Sequence, residues 1–149
     1  MTREKKCQLA IEKGYTYDPE TGLIYNRFGK IVGRNHFGYI KIALYLNKKQ
    51  YNLMAHQFAW YFINKECVEQ LDHINGIKDD NRICNLRTVT CQQNSFNRTT
   101  AKGYSFKAKK NKYESSIVLN NKYIYLGLFN TEEEARKAYL AAKQIYHVI

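Results

Sequence analysis

Most of the chain alternates. Short runs of branched and aromatic residues, interrupted every few positions by polar turns, are the pattern of half-buried antiparallel strands. The first fourteen residues, MTREKKCQLAIEKG, differ: charges flank a short apolar stretch, which predicts a helix and lacks the apolar core of a signal peptide. Strand candidates follow at 15–17 and 23–25, separated by Asp18-Pro19-Glu20-Thr21-Gly22, where Pro early and Gly late suit a tight reversal. A second reversal at Phe28-Gly29-Lys30 leads to Ile31-Val32. Residues 38–46, turned by Asn47-Lys48-Lys49 into 51–54, complete a small antiparallel sheet. Residues 55–64, AHQFAWYFIN, then take helical composition, with an apolar face through Phe58, Ala59, Phe62 and Ile63.

Across 70–98 the predicted order is strand, loop, strand, helix. Residues 70–74 form the first strand and NGIKDDNRICN the polar loop, which opens on the turn signal Asn75-Gly76. Residues 86–89 form the second strand. Thr90 followed by Gln93 has the form of a capping box, so a helix starts there and runs to about Arg98. From Lys102 three further strands are predicted, at 103–107, 113–119 and 123–129. A second capping box, Thr131 with Glu134, then opens a helix whose Ala135, Ala138, Tyr139, Ala142, Ile145 and Tyr146 recur at spacings of three and four. The fold class expected is α+β: a small N-terminal sheet, a strand-strand-helix core at 70–98, then a three-stranded antiparallel sheet on one helix. The module boundary falls at 98–102, giving 1–98 and 102–149.

Charge narrows the function classes. The net charge is +11 and the sequence pI about 9.5, and the excess is spread, with net +6 over residues 1–101 and net +5 over 102–149. A small protein this basic usually meets a polyanion, because neutralising phosphates releases condensed counterions. No run of eighteen apolar residues exists, so no membrane partner is expected. Cys7, Cys67, Cys84 and Cys91 lack any C-x-x-C pairing, which favours reduced thiols in a cytoplasmic protein over a zinc-stabilised domain.

The stretch LDHINGIKDDNRICNLRTVTCQQNSFN is specific in a way charge is not. Asn85 lies twelve positions after His73, and Asn94 twenty-two after Asp72. In identities and spacings together, across about 25 residues, this stretch resembles the HNH homing endonucleases, in particular their phage-type branch. The resemblance implies a ββα-metal core and metal-dependent hydrolysis of DNA phosphodiesters, leaving 5′-phosphate and 3′-hydroxyl ends. His73 would be the general base, since an imidazole changes charge near neutral pH. Asp72 and Asn94 would offer hard oxygen ligands to one Mg²⁺ or Mn²⁺ ion. Asn85 would orient the loop and His73.

Neighbours in a regular strand point to opposite faces, so for Asp72 and His73 to reach one phosphate the strand must end or distort there. Asp79, Asp80 and Asn81 are assigned to turn chemistry. His56 matches an upstream family histidine and is either a phosphate contact or, somewhat more in keeping with its place, structural. Arg87 and Arg98 flank the motif as candidate phosphate clamps. His36 and His147 have no identifiable partners.

The C-terminal segment GYSFKAKKNKYESSIVLNNKYIYLGLFNTEEEARKAY resembles the Apetala-type (ethylene-response-factor) DNA-binding domain, most closely in YLGLFNTEEEARKAY. In that fold the sheet enters the major groove. The resemblance therefore implies that Ser105, Lys107, Lys112, Tyr113, Ser115 and Lys122 face double-stranded DNA, with Lys109 and Lys110 positioning phosphates. Ser105 stands where that family commonly has Arg, and Tyr113 where it commonly has Trp, which weakens guanine readout. The expectation is a monomeric or weakly dimeric endonuclease in the host cytoplasm, nicking or cutting both strands. The alternatives are a non-catalytic DNA-binding regulator on the same scaffold and an RNA binder that stacks bases on its tyrosines.

Overall fold

Thr2 opens the first helix: its hydroxyl accepts from Lys5 N, 3.3 Å away, and satisfies one of the free amides of α1 (Arg3–Glu12). The helix stops at Gly14, whose left-handed φ of +77° lets its N–H close on Ile11 O at 2.8 Å. The computed structural model describes residues 1–97 and 100–148. In it the chain is α+β and divides into two units, Met1–Thr88 and Val89–Ile149.

In the first unit, β1 (Thr16–Tyr17) and β2 (Ile24–Tyr25) form a short hairpin around the Pro19–Gly22 turn. A separate antiparallel sheet follows, made of β3 (Arg34–His36), β4 (Tyr39–Leu46) and β5 (Lys49–Met54) in that order. The sequence predicts a single sheet and misses β3. That strand is Arg-Asn-His, exposed at every position, and carries no apolar alternation to read. β4 and β5 turn at Asn47-Lys48, both at positive φ (48° and 61°), the geometry of a tight hairpin turn that matches strand twist.

α2 (Ala55–Asn64) leaves β5 directly and ends on Lys65 in the left-handed conformation. Ala55, Phe58 and Ala59 are buried and Phe62 packs beside them, whereas Ile63, expected on that face, is 44% exposed. With α1 it covers the sheet. The core gathers Cys7, Leu9, Ile42, Leu44, Leu53 and Phe58. Burial of a side chain the size of Phe58 contributes about 1.5–3 kcal/mol. A second short hairpin, β6 (Leu71–His73) with β7 (Leu86–Thr88), adds Leu86 to this core and pairs His73 with Leu86.

The second unit opens with α3 (Cys91–Phe96), and here the capping box is complete. Thr90 Oγ1 accepts from Gln93 N at 3.1 Å, and Gln93 Oε1 accepts from Thr90 N at 2.9 Å. The sequence groups this helix with β6 and β7; the division into units falls before it. Within its own unit, Phe96 is buried and stacks on the imidazole of His147, centroids 3.9 Å apart. His147 Nε2 donates to Val118 O at 2.9 Å.

β8 (Tyr104–Lys107), β9 (Lys112–Leu119) and β10 (Lys122–Phe129) then form an antiparallel sheet in the order β10-β9-β8, with α4 (Glu132–Tyr146) on one face. Asn120 and Asn121, again at positive φ, make the β9–β10 turn. Of the predicted α4 stripe, Ala135, Tyr139 and Ala142 are buried, while Ile145 at the far end is 70% exposed. Among the described residues no helix is long and apolar enough to cross a membrane.

Gly22 ties the β1–β2 turn to the segment before β7. Its φ is +74°, and a Cβ there would lie 2.6 Å from Arg82 N and 2.7 Å from Asn81 C. Backbone cannot yield as a flexible side chain does, so Gly22→Ala combines strain with collision and should destabilise the first unit by about 2–4 kcal/mol. Denaturant unfolding of the purified variant measures it, and an unchanged midpoint would show that the two segments pack loosely at this point.

Candidate active site

The twelve residues between His73 and Leu86 contain little to bury, so polar side chains must hold them. Asn85 carries most of that load. Its carboxamide is buried, with Nδ2 donating to Asn75 Oδ1 (2.9 Å) and to Asp80 O (2.8 Å), and Oδ1 accepting from Asn75 N (3.0 Å). Its backbone oxygen also accepts from Ile74 N at 2.9 Å. Asp80 fixes the outer edge: Arg82 donates to both its oxygens, at 2.8 and 2.6 Å, and Asn75 Nδ2 donates to Oδ2 at 2.7 Å. Hydrogen bonds from Arg82, then from Asn75, hold the Asp80 carboxyl well below the usual carboxylate range.

This stitching places Asn81. The side chain is 2% exposed, and Tyr17 Oη donates to its carbonyl at 2.7 Å. Asn81 Nδ2 donates to Asp79 O at 3.3 Å, which turns Oδ1 toward His73 Nε2, 3.1 Å away. An amide oxygen only accepts, so Nε2 carries the hydrogen and the lone pair of the neutral ring sits on Nδ1. The sequence gives Asn81 a turn role; its side chain is instead the partner that sets the tautomer of His73. Asn81 lies within the stretch that carries the family resemblance, but an Asn in a polar loop reads as turn chemistry until the fold buries it against His73.

His73 is 6% exposed and enclosed by rings. The centroid of His56 lies 5.3 Å from that of His73, and Tyr39 at the start of β4 lies 5.6 Å from His56 and 5.9 Å from His73. Burial pushes the His56 imidazole down to about 4, helped by the neighbouring His73 and by Arg3. His56 Nδ1 is buried and has no hydrogen-bond partner. The charged form that a phosphate would recruit is therefore disfavoured, and His56 sits as a packing neighbour of His73.

Asp72 and His73 follow each other in β6, and the strand ends at His73 in a turn in which Gly76 N donates to His73 O at 2.9 Å. Asp72 lies opposite Arg87, whose Nε and Nη2 both donate to Asp72 Oδ2, at 2.9 and 2.7 Å. Arg87, expected as a phosphate clamp, thus turns two of its donors inward to the carboxylate. Asn94 lies on α3 in the second unit, and Arg98 lies outside the described residues. Among the described residues no group of three His, Cys, Asp or Glu is gathered to hold a metal, and the four cysteines are free thiols. Burial, then the neighbouring Cys67, pushes the Cys7 thiol up to about 12, which keeps it protonated.

On the three-stranded sheet, alternation separates the residues expected at DNA. Ser105, Lys107 and Lys112 are on the face away from α4, with Lys107 paired to Glu114 at 3.3 Å. Ser115 is not. It is fully buried and donates to Ala135 O at 2.9 Å, because it shares the helix-facing side of β9 with Ile117. Tyr113 has the same parity, and its ring packs against Tyr104 and Phe106. Lys109, Lys110 and Lys122 are exposed at the two hairpin ends. The open face also carries Tyr123 and Tyr125, 64% and 57% exposed, which the motif-based reading passed over. Their strict alternation with Ile124 was the available signal.

Residues 53–96, the segment carrying His56, Asp72, His73, Asn85 and Asn94, match the family model described as HNH endonuclease. An uncharacterized HNH endonuclease of Acanthamoeba polyphaga mimivirus is 32% identical over 120 residues, covering 71% of this chain and 64% of its own length. The chain thus spans slightly less than two thirds of that relative. A solved structure describing DNA binding and cleavage by the HNH homing endonuclease I-HmuI is 30% identical, with a TM-score of 0.47, over 56% of this chain and 50% of that one.

Because His56 is held neutral, stability should depend on pH. Its folded pKa lies below its ordinary value of 6.5, so the unfolded chain binds the proton more readily. The contribution is complete above pH 6.5 and is lost as pH falls through about 4. Urea unfolding between pH 7 and pH 4 should show a loss on the order of 2–3 kcal/mol that His56→Gln abolishes. A wild-type profile parallel to that of the variant would mean that His56 is solvated.

Proposed function

We propose that this chain is a metal-dependent DNA endonuclease that hydrolyses phosphodiester bonds with His73 as general base. The observation that carries the reading is the His73–Asn81 hydrogen bond within the segment matched by the HNH family model. It supplies orientation for proton abstraction: Nε2 is held as the donor, which leaves Nδ1 as the nitrogen that takes the proton. Burial among Tyr39 and His56 keeps that ring from turning. Asn85 takes no proton; by fixing Asn75 and Asp80 it fixes the loop that delivers Asn81.

In the step itself a water oxygen attacks phosphorus, its proton passes to His73 Nδ1, and the bond from phosphorus to the 3′ oxygen breaks as that oxygen takes a proton from solvent. The products are a 5′-phosphate and a 3′-hydroxyl. Asp72 has a carboxylate, of which Arg87 engages one oxygen, and Asn94 an amide oxygen, and each is the hard type of donor that Mg²⁺ or Mn²⁺ takes. Asp72 and Asn94 are the residues that would hold it. Such an ion, when bound, polarises a phosphate oxygen and stabilises the leaving oxygen. Arg87 keeps the Asp72 carboxylate oriented.

The second unit would supply affinity for duplex DNA through the open face of its sheet. Ser105 and Lys112 lie there with Lys107, and Lys109, Lys110 and Lys122 at the hairpin ends are placed for phosphates. Ser115 and Tyr113 take no part, being turned to the helix side. Such a sheet is the expected arrangement of an Apetala-type module. The homing and phage character read from the motif stays with this proposal.

Supercoiled plasmid carrying the target, incubated with Mg²⁺ or Mn²⁺, should be nicked, and EDTA should stop the reaction. His73→Ala should lower the rate by about 10²–10⁴-fold. Asn81→Ala should lower it by roughly tenfold or more with little change in KM, since it removes orientation and not binding. Tight binding of that plasmid without cleavage under any divalent ion would replace the enzyme by a DNA-binding regulator.

A further inference from the structure

The tip of the β3–β4 hairpin breaks two rules at once. Among the described residues seven non-glycine residues have φ in the left-handed region. Six are Asn or Lys at turns and a helix end; the seventh is Phe37, at φ 52°. Bulky residues are disfavoured in this conformation, which Asn tolerates by local hydrogen bonding. Phe37 is also 85% exposed, the most exposed large apolar side chain among the described residues. Its one ring contact is an edge-on approach to the neighbouring His36, centroids 4.7 Å apart. The turn is nevertheless well determined: Gly38 follows at φ 89° and donates to Asn35 Oδ1 at 3.1 Å. The fold holds an aromatic ring in water at the end of a hairpin, with the edge of His36 as its ring contact.

Its surroundings identify the occupant. Two residues after Phe37, Tyr39 packs on both His56 and His73, so the tip stands beside the candidate general base. Lys78, from the loop that holds Asn81, lies against Gly38 and reaches over the Tyr39 ring at 5.0 Å. Behind the tip, the sheet bears an open groove of about 600 Å³ lined by Arg34, His36, Lys41 and Asn52, among others. Cationic side chains flanking an exposed aromatic ring complement a polyanion whose interior is made of stacked apolar faces.

We propose that Phe37 is a wedge that enters between base steps of duplex DNA next to the catalytic pocket, with Arg34, Lys41 and Lys78 against the flanking phosphates. Apolar wedges of this kind partly unstack a step, and the duplex unwinds and kinks. Beside a nuclease site the kink would open the backbone toward His73. The location of the wedge rests on the endonuclease reading; its action on DNA does not require cleavage.

The test uses full-length His73→Ala protein without divalent ions, so that nicking cannot interfere. A closed circular plasmid is relaxed by a metal-independent topoisomerase in the presence of the protein, then stripped of protein and run on a gel. Unwinding should appear as residual negative supercoils that grow with occupancy. Adding Phe37→Asn, which suits the left-handed turn, should raise the melting temperature by a few degrees, because strain and an exposed ring are both removed. The same change should cut unwinding per bound protein at least about threefold, while Phe37→Trp retains it. Equal unwinding with and without the Phe37→Asn change at matched occupancy, or no unwinding or no plasmid binding by the His73→Ala protein, would overturn the wedge. Phe37-dependent unwinding by a chain whose wild type fails to nick would leave the wedge standing and remove the nuclease.

Discussion

The site depends on one carboxamide. Asn85 uses both hydrogens and its oxygen within the β6–β7 loop, and its backbone oxygen closes the hairpin across to Ile74. A polar loop of this length has no hydrophobic reason to adopt one shape, since ordering it costs conformational entropy that no burial of apolar surface offsets. A buried amide with every valence satisfied supplies a reason. Each of its bonds is individually modest, but leaving any of the groups unpaired in the interior costs about 1–3 kcal/mol, so alternative loop shapes are excluded more than this one is favoured.

What the loop delivers is orientation. Asn81 arrives with its amide already turned by the Asp79 carbonyl, and His73 therefore presents a fixed tautomer instead of two that exchange. The rings of Tyr39 and His56 then close around it. The electrostatics divide along the strand. Asp72 faces Arg87 and is neutralised by it, whereas on the other side His56 is kept neutral by burial, so no second positive charge sits against His73.

Much of the scaffold was legible because its signals are local. Thr90 and Thr131 both cap the helices expected there, Thr90 in a complete capping box and Thr131 by its hydroxyl alone, since Glu134 Oε2 accepts from Asn130 N. The tight turns fall at the Asn-Lys and Asn-Asn pairs. The motif likewise gave His73, Asp72 and Asn85 by spacing, and these three lie on or beside one hairpin. The illegible parts are those that depend on partners distant in sequence. β3 has no apolar residue to alternate, and it forms because β4 offers it an edge. Arg87 reads as a free cation until the register sets it opposite Asp72. Ser115 and Tyr113 follow from a parity fixed by Ile117, which a family alignment of types does not convey.

Departures from a local rule are then informative in proportion to how well the rule works elsewhere in the same chain. At the other positive-φ hairpin positions the chain has Asn47 with Lys48 in one turn and Asn120 with Asn121 in another, polar residues throughout and three of the four Asn, which tolerates the conformation. Phe37 occupies the equivalent place in a third hairpin, where the turn itself gains nothing from an aromatic side chain and would be more stable without it. Neither core packing nor turn propensity accounts for the residue, and a contact that the isolated protein does not make is the remaining physical reason for it. The same hairpin carries Tyr39 against the rings of His56 and His73, so the strained tip and the wall of the His73 pocket are built on one strand pair.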